Sequence, residues 1–485
     1  MLLTAILLLM HLYPGNAYYL SDRGDDSGPG TRRHPWRTLA RASQATLGPG
    51  DALYLRGGDT FAGMLVLDSA DAGQAGAPVT VASYGPGRAT IDAGAGTALW
   101  IDRTSHVQVR DLVLRGAGRK TGNRQAGMWL RQAADIAVED VEVYGFQKAG
   151  VEMYECARVR LLRVYAHDNG FAGISSGGAY GRRANRQLYV GYCRAENNPG
   201  DPSNLDNHSG NGIVLSEVDT ALIEYCVATG NGWDMPRQGN GPVGIWVWNA
   251  HAAVIQHCIA HHNRTAPGAA DGGGFDLDGG VTASVIQYCL SYENDGTGYG
   301  LFQFEGALPW VGNTVRYCIS ENDGQTGKPS VLLWNGSSNP DDLRGCELYH
   351  NVFRNDSGAV VGFLDDKHRD FFFRNNIFIG PRALFQGSSM QVRYEGNLWW
   401  TGVADSLPDP AAVRADPAFV HMGRTTLDDP TRLAGLPGYR LRPDSPARGA
   451  GVDLRARGID SGTRDFFGQQ VPGGDRPHIG IDQQR

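Results

Sequence analysis

Six of the seven cysteines in this chain recur in one short context, and that recurrence constrains the fold more than any other feature. They lie in Gly-Tyr-Cys193, Glu-Tyr-Cys226, Gln-His-Cys258, Gln-Tyr-Cys289, Arg-Tyr-Cys318 and Arg-Gly-Cys346, at steps of 33, 32, 31, 29 and 28 residues. An asparagine follows each one four or five residues later: Asn198, Asn231, Asn263, Asn294, Asn322 and Asn351. The middle units also carry a glycine and a short apolar run upstream, in Gly212-Ile-Val-Leu215, Gly244-Ile-Trp-Val247, Gly274-Phe-Asp-Leu277 and Gly300-Leu-Phe-Gln303. Self-similarity at this period marks a stack of repeated units.

The unit is a strand unit. Ile213/Leu215, Ile245/Val247, Phe275/Leu277 and Val331/Leu333 alternate with period two, and no segment inside the unit has a 3.6-residue apolar period. Short strands that stack position on position, with a turn at each corner, describe a parallel β-helix, an all-β solenoid. The asparagine after each strand is expected to supply the left-handed turn, and the small, weakly polar cysteine to fill a narrow inner corner. Fainter coils, such as Val138-Glu-Asp140, Val159-Arg-Leu161 and Phe371-Phe-Phe-Arg-Asn375, extend the array. The expected layout is a leader over 1–17, a cap over 18–50, the β-helix over 51–400 and an irregular tail over 401–485 that packs on it. Within the cap, Ala40–Ala45 reads as a short amphipathic helix that plugs the first coil.

A net charge of −7 argues against a nucleic-acid partner. No stretch reaches the 18 or more apolar residues needed to span a membrane. Leu2–Leu12 followed by Pro14-Gly15-Asn16-Ala17 reads as a secretory leader, which predicts a secreted or periplasmic protein acting as a monomer. Cysteines at equivalent corners point in parallel, so unpaired thiols are expected despite export. The chain has no C-x-x-C pair to suggest a metal. Cys156 falls outside the repeat, with no role assigned.

The opening Tyr18-Tyr-Leu-Ser-Asp-Arg-Gly-Asp-Asp, the Gly48-Pro-Gly-Asp-Ala-Leu-Tyr-Leu55 entry to the first coil and the closing Ile479-Gly-Ile-Asp482 resemble secreted right-handed β-helix proteins of the pectate-lyase superfold. That resemblance implies right-handed winding and an activity that cleaves or epimerises polysaccharides. The polygalacturonase motif set is absent, and no calcium cluster is coupled to a spaced Arg or Lys as in pectate lyases. The site is therefore read from its own residues.

If the apolar positions point inward, the next positions face outward. The outward pairs are then Val214/Ser216, Trp246/Trp248, Asp276/Asp278, Phe302/Phe304 and Leu332/Trp334. Two aspartates flanked by aromatics on an outer face suit a sugar, whose C–H faces stack on rings. Asp276 and Asp278 stand about 6.5–7 Å apart at Cα along one strand face. That separation suits an acid and base astride a glycosidic bond. Asp271 and His208 join them as candidate catalytic groups. Trp246, Trp248, Phe302, Phe304, Trp334, Glu305 and Asp206 are the candidate substrate contacts. No cofactor is required on this reading; alternatively Asp271, Asp276 and Asp278 hold Ca²⁺.

Three functions follow. The first is a glycoside hydrolase using the aspartate pair on a polysaccharide or oligosaccharide. The second is a Ca²⁺-dependent lyase acting on a uronate polymer, for which Lys367 is the best base. The third is a non-catalytic glycan-binding surface protein. Closure of the groove by the Asn198–Asn211 and Trp233–Pro242 loops would favour action at chain ends.

Overall fold

The computed structural model describes residues 15–122, 124–380, 385–400, 407–471 and 476–484. The expected leader core, Leu2–Leu12, lies outside the described residues. Three columns of parallel strands wind around one apolar interior. The first column holds the outward aspartates and includes Ala172–Gly177, the first halves of Asn211–Glu224 and Val243–Gln256, Gly273–Leu277, Tyr299–Gln303 and Val331–Asn335. The second begins with Ala17–Leu20 beside Ala52–Arg56 and takes in the second halves of the two long strands. The third is a 13-stranded sheet of short strands, from Thr60–Ala62 to Leu398–Trp400. Every pairing between these strands is parallel, so each coil delivers one strand to each column.

Inward rows such as Ile213, Ile245, Phe275, Tyr299 and Val331 are completely buried. The cap helix spans Leu39–Ala42, with the Thr38 hydroxyl accepting a hydrogen bond from the Arg41 amide. Trp36, Leu39 and Ala42 seal the first coil, covering apolar edge that an open solenoid would expose. The tail packs on the third column through Phe419, Leu433, Tyr439 and Phe466.

Two interior ladders explain the repeat. Asn169, Asn198, Asn231, Asn263 and Asn294 bond side chain to side chain at 2.8–3.0 Å, and Asp323 ends the run at 2.7 Å. Asp323, not Asn322, thus continues the ladder. The left-handed residues are those just before it, Asn197, His262, Glu293 and Asn322, because the ladder side chains must point inward. Glycine is required opposite them: a Cβ on Gly244 would stand 2.7 Å from the Asn263 amide nitrogen, and one on Gly298 2.4 Å from Asp323.

At the next corner Cys193, Cys226, Cys258, Cys289 and Cys318 stack, each thiol 3.2–3.3 Å from the carbonyl two residues back. Cys346 does not join them; it pairs with Asn313 in the second column, and Asn351 takes the corner instead. From there Asn351, Asn376 and Asn397 continue the cysteine corner as an asparagine run ending on Asp409. Cys156 fills the corner between the first two columns, where its amide donates to Asn185. All seven cysteines are free and buried. Among the described residues no helix is long and apolar enough to cross a membrane.

Candidate active site

Asp271, Asp276 and Asp278 converge where one coil enters and leaves the first column. Asp271 and Gly272 both adopt left-handed conformations (φ 58° and 83°), turning the chain sharply into Gly273–Leu277. The Asp271 carboxylate accepts the Gly241 amide at 2.6 Å. Asp276 lies in register with Trp246 on one side and Gly300 on the other. Asp278 follows two residues later, between Trp248 and Phe302. Its amide donates to Val247 at 2.9 Å, and its carboxylate accepts the Gly279 amide at 2.7 Å.

The three carboxyls differ in depth and charge environment. Asp276 is only 3% exposed, and its Oδ1 is buried without a hydrogen-bond partner. Burial, then the charges of Asp278 and Asp271, hold it well above the usual carboxylate range. Asp278 is half-buried, and burial pushes it up to about 7, with the Asp271 charge adding to the shift and the Gly279 amide opposing it. Asp271, also half-buried, is raised by burial, while the Gly241 amide, Lys328 and Arg237 pull the other way. Asp271 alone of the three therefore has cations in its field, a setting that favours its ionised form.

The strand register corrects the expected pairing of the flanks. Gly298 is the equivalent of Gly274, so Gly300 stands beside Asp276, and Phe302 rather than Phe304 stands beside Asp278. Trp334 follows Phe302 in the same row, the two rings edge to face at 6.4 Å. Phe304 lies past the strand end, over Gly279. Trp248 is half-buried at the site.

Trp246 is 3% exposed and donates to Asn211 at 3.1 Å, so it is no open platform. It belongs to a small apolar layer with Val214, Val243 and Ala172, roofed by the 199–210 loop. His208 is the wedge of that roof. Its ring sits 5.2 Å from Phe171 and 4.8 Å from Trp246, and its Nδ1 is 2.9 Å from the Asn211 amide nitrogen. Burial lowers its pKa to about 3, and this candidate catalytic group serves as a packing residue.

Asp206 is exposed on the same loop, its carbonyl held by Arg237. Glu305 accepts the Ser338 amide at 2.6 Å and so anchors a neighbouring turn. Lys367 donates to the Ser337 carbonyl at 2.6 Å, in coils beyond the aspartates. Among the described residues no group of three or more His, Cys, Asp or Glu is arranged to hold a metal ion, so the alternative Ca²⁺ set of Asp271, Asp276 and Asp278 lacks the geometry expected of it.

Sequence reasoning missed one wall. Residues 178–184 leave the first column after Gly177 and reach forward over the site. Tyr180 donates its hydroxyl to the Gly306 carbonyl at 2.9 Å, and Arg183 donates to the Gly280 carbonyl at 2.7 Å. The available signal was length: the preceding coil turns this corner with Glu155 and Cys156 alone.

Stacked parallel coils define a parallel β-helix, and the chain belongs to the Pel9A-like family: the model "Pel9A-like, right handed beta helix region" matches residues 18–314. A lacto-N-biosidase of Bifidobacterium longum subsp. longum is 24% identical over 96% of this chain. The alignment covers 36% of that protein, so this chain spans about a third of its relative's length. The GH136 lacto-N-biosidase from Eubacterium ramulus shares the fold, with a TM-score of 0.53 at 15% identity over 81% of this chain and 68% of that one. The PL6 family alginate lyase AlyGC does likewise, with a TM-score of 0.56 at 14% identity over 84% of this chain and 55% of that one.

Proposed function

We propose that this protein is a glycoside hydrolase in which Asp278 and Asp271 work on the glycosidic bond. The observation that carries the reading is the contrast between these two accessible carboxyls. Asp278, between Trp248 and Phe302, keeps its proton to about pH 7 and suits a general acid. Asp271, with an amide and two cations in its field, suits the carboxylate partner. Burial raises both, and the cations beside Asp271 that Asp278 lacks separate the base from the acid. Asp278 protonates the leaving oxygen as the glycosidic bond breaks, and Asp271 takes a proton from the water whose oxygen bonds to the anomeric carbon. Asp276 lies beneath both, too deep to touch substrate, and its burial disfavours a second negative charge beside Asp271.

The roof over Val214 and Trp246 closes the groove directly beside Asp276, and a groove closed at one end supports cleavage from a chain terminus. With the lacto-N-biosidase relatives, this favours release of a short oligosaccharide over random cutting of a polymer. Export follows in the same reading, since such glycans lie outside the cell; fractionation of the native host for the protein tests it.

The enzymatic test is incubation with p-nitrophenyl lacto-N-bioside, neutral oligosaccharides and uronate polymers, with and without EDTA. Expected is release of p-nitrophenol or reducing ends, insensitive to chelator and lost in Asp278→Asn and Asp271→Asn. An ultraviolet-absorbing unsaturated product that EDTA abolishes would instead make the protein a metal-dependent lyase. Glycan binding with no bond cleavage would make it a binding protein.

A further inference from the structure

The strap 178–184 is held more firmly than a surface turn needs. Its root is Glu217, which is 1% exposed and accepts three hydrogen bonds: from the Gly181 amide (2.9 Å), the Arg183 amide (3.0 Å) and the Asn249 side chain (2.5 Å). A buried carboxylate satisfied by three donors fixes the backbone that supplies two of them. From that root Arg183 reaches Gly280, two residues past Asp278. Tyr180 passes across Trp248 to Gly306, in the coil beyond Asp278. Its ring lies 6.3 Å from the Trp248 ring at 29°, yet the residue remains 54% exposed. The tyrosine is thus tethered at its backbone and at its hydroxyl while its ring stays in water. Folding gains little from an aromatic ring so exposed, whereas a ligand gains from a ring already immobilised.

We infer that Tyr180 and Trp248 form a sugar-stacking clasp beside Asp278, binding one pyranose ring of the glycan through its apolar C–H face. The inference rests on the hydrolase reading for the identity of the ligand, but not on which carboxylate does the chemistry. Trp248 follows Val247, whose carbonyl accepts the Asp278 amide at 2.9 Å, so a ring seated on the clasp has its glycosidic oxygen held near that carboxyl. Glu217 is a positioning residue: it acts through the strap.

The test measures binding of lacto-N-biose, and of galactose and glucose disaccharides as further probes, to the Asp278→Asn protein by calorimetry and by tryptophan fluorescence. Tyr180→Ala in that background is expected to weaken disaccharide binding about tenfold. Tyr180→Phe keeps the ring and is expected to retain most of the affinity. Glu217→Gln, in the otherwise wild-type enzyme, is expected to raise KM more than it lowers kcat, a split that a purely structural defect would not produce. Unchanged binding in a folded Tyr180→Ala protein, verified by thermal melting, overturns the clasp. Should Asp278→Asn stay active while Tyr180→Ala still weakens binding, the catalytic assignment fails and the clasp stands.

Discussion

Gly300 lies in register beside Asp276, and a Cβ placed on it would stand 3.1 Å from the unpartnered Asp276 Oδ1 and 2.7 Å from the Phe302 ring. The absence of a side chain there is what lets the deepest carboxyl occupy its place. Gly300→Ala is therefore expected to displace Asp276 and Phe302 together, destabilising by about 1–3 kcal/mol as overpacking does. It is also expected to lower kcat/KM at least tenfold. Thermal melting and kinetics on one purified variant check both.

The proton on Asp278 sets a pH limit. A general acid works only while protonated, so kcat/KM should fall as pH rises through about 7, by about tenfold per unit beyond it. An alkaline limb two or more units lower, near an ordinary carboxylate, would contradict the assignment.

Asp276 makes the opposite kind of contribution from a salt-bridged carboxylate. Its folded pKa is raised above the unfolded value, so the folded state binds the extra proton. The stabilisation is fully present below about pH 4, the unfolded value, and is lost as pH rises through the folded pKa. Asp276→Asn should accordingly raise the melting temperature relative to wild type in alkaline buffer, with the advantage shrinking toward pH 4. Paired melts across that range check the sign.

The two ladders should respond differently to truncation. Asn231 donates to Ala195 and Asn263 and accepts from the amide and side chain of Asn198. Asn231→Ala leaves several buried groups unsatisfied and should cost about 3 kcal/mol or more. Cys226→Ala removes one weak donor and a small volume and should cost about 1 kcal/mol. Denaturant midpoints of the two variants give the comparison.

The coil repeat was readable in the sequence because Cys193 through Cys318 must fall at one corner, and the spacing counts coils directly. Register within a coil was less readable. Gly300 mimics Gly274 in its flanks, but Gly298 is the residue that clears the interior Asp323, and the two-residue slip moved Phe302 and Phe304 to the wrong neighbours. Alternation correctly turned Asp276 and Asp278 to the outer face. It carried no information on depth, which depends on what lies above. The 199–210 loop covers Trp246 and makes His208, a candidate catalytic group, into packing. Tyr180 was invisible for the same reason: it reaches the site from a distant coil through a loop without strand periodicity.

The cysteine ladder has a further consequence. Burial pushes the Cys193, Cys226, Cys258 and Cys289 thiols well above the ordinary range, and each lies against a carbonyl as well as against the next thiol of the ladder. Such groups neither ionise readily nor meet an oxidant. With all seven cysteines free and buried, the stack is held by packing and hydrogen bonds alone, and reductants have no crosslink to undo.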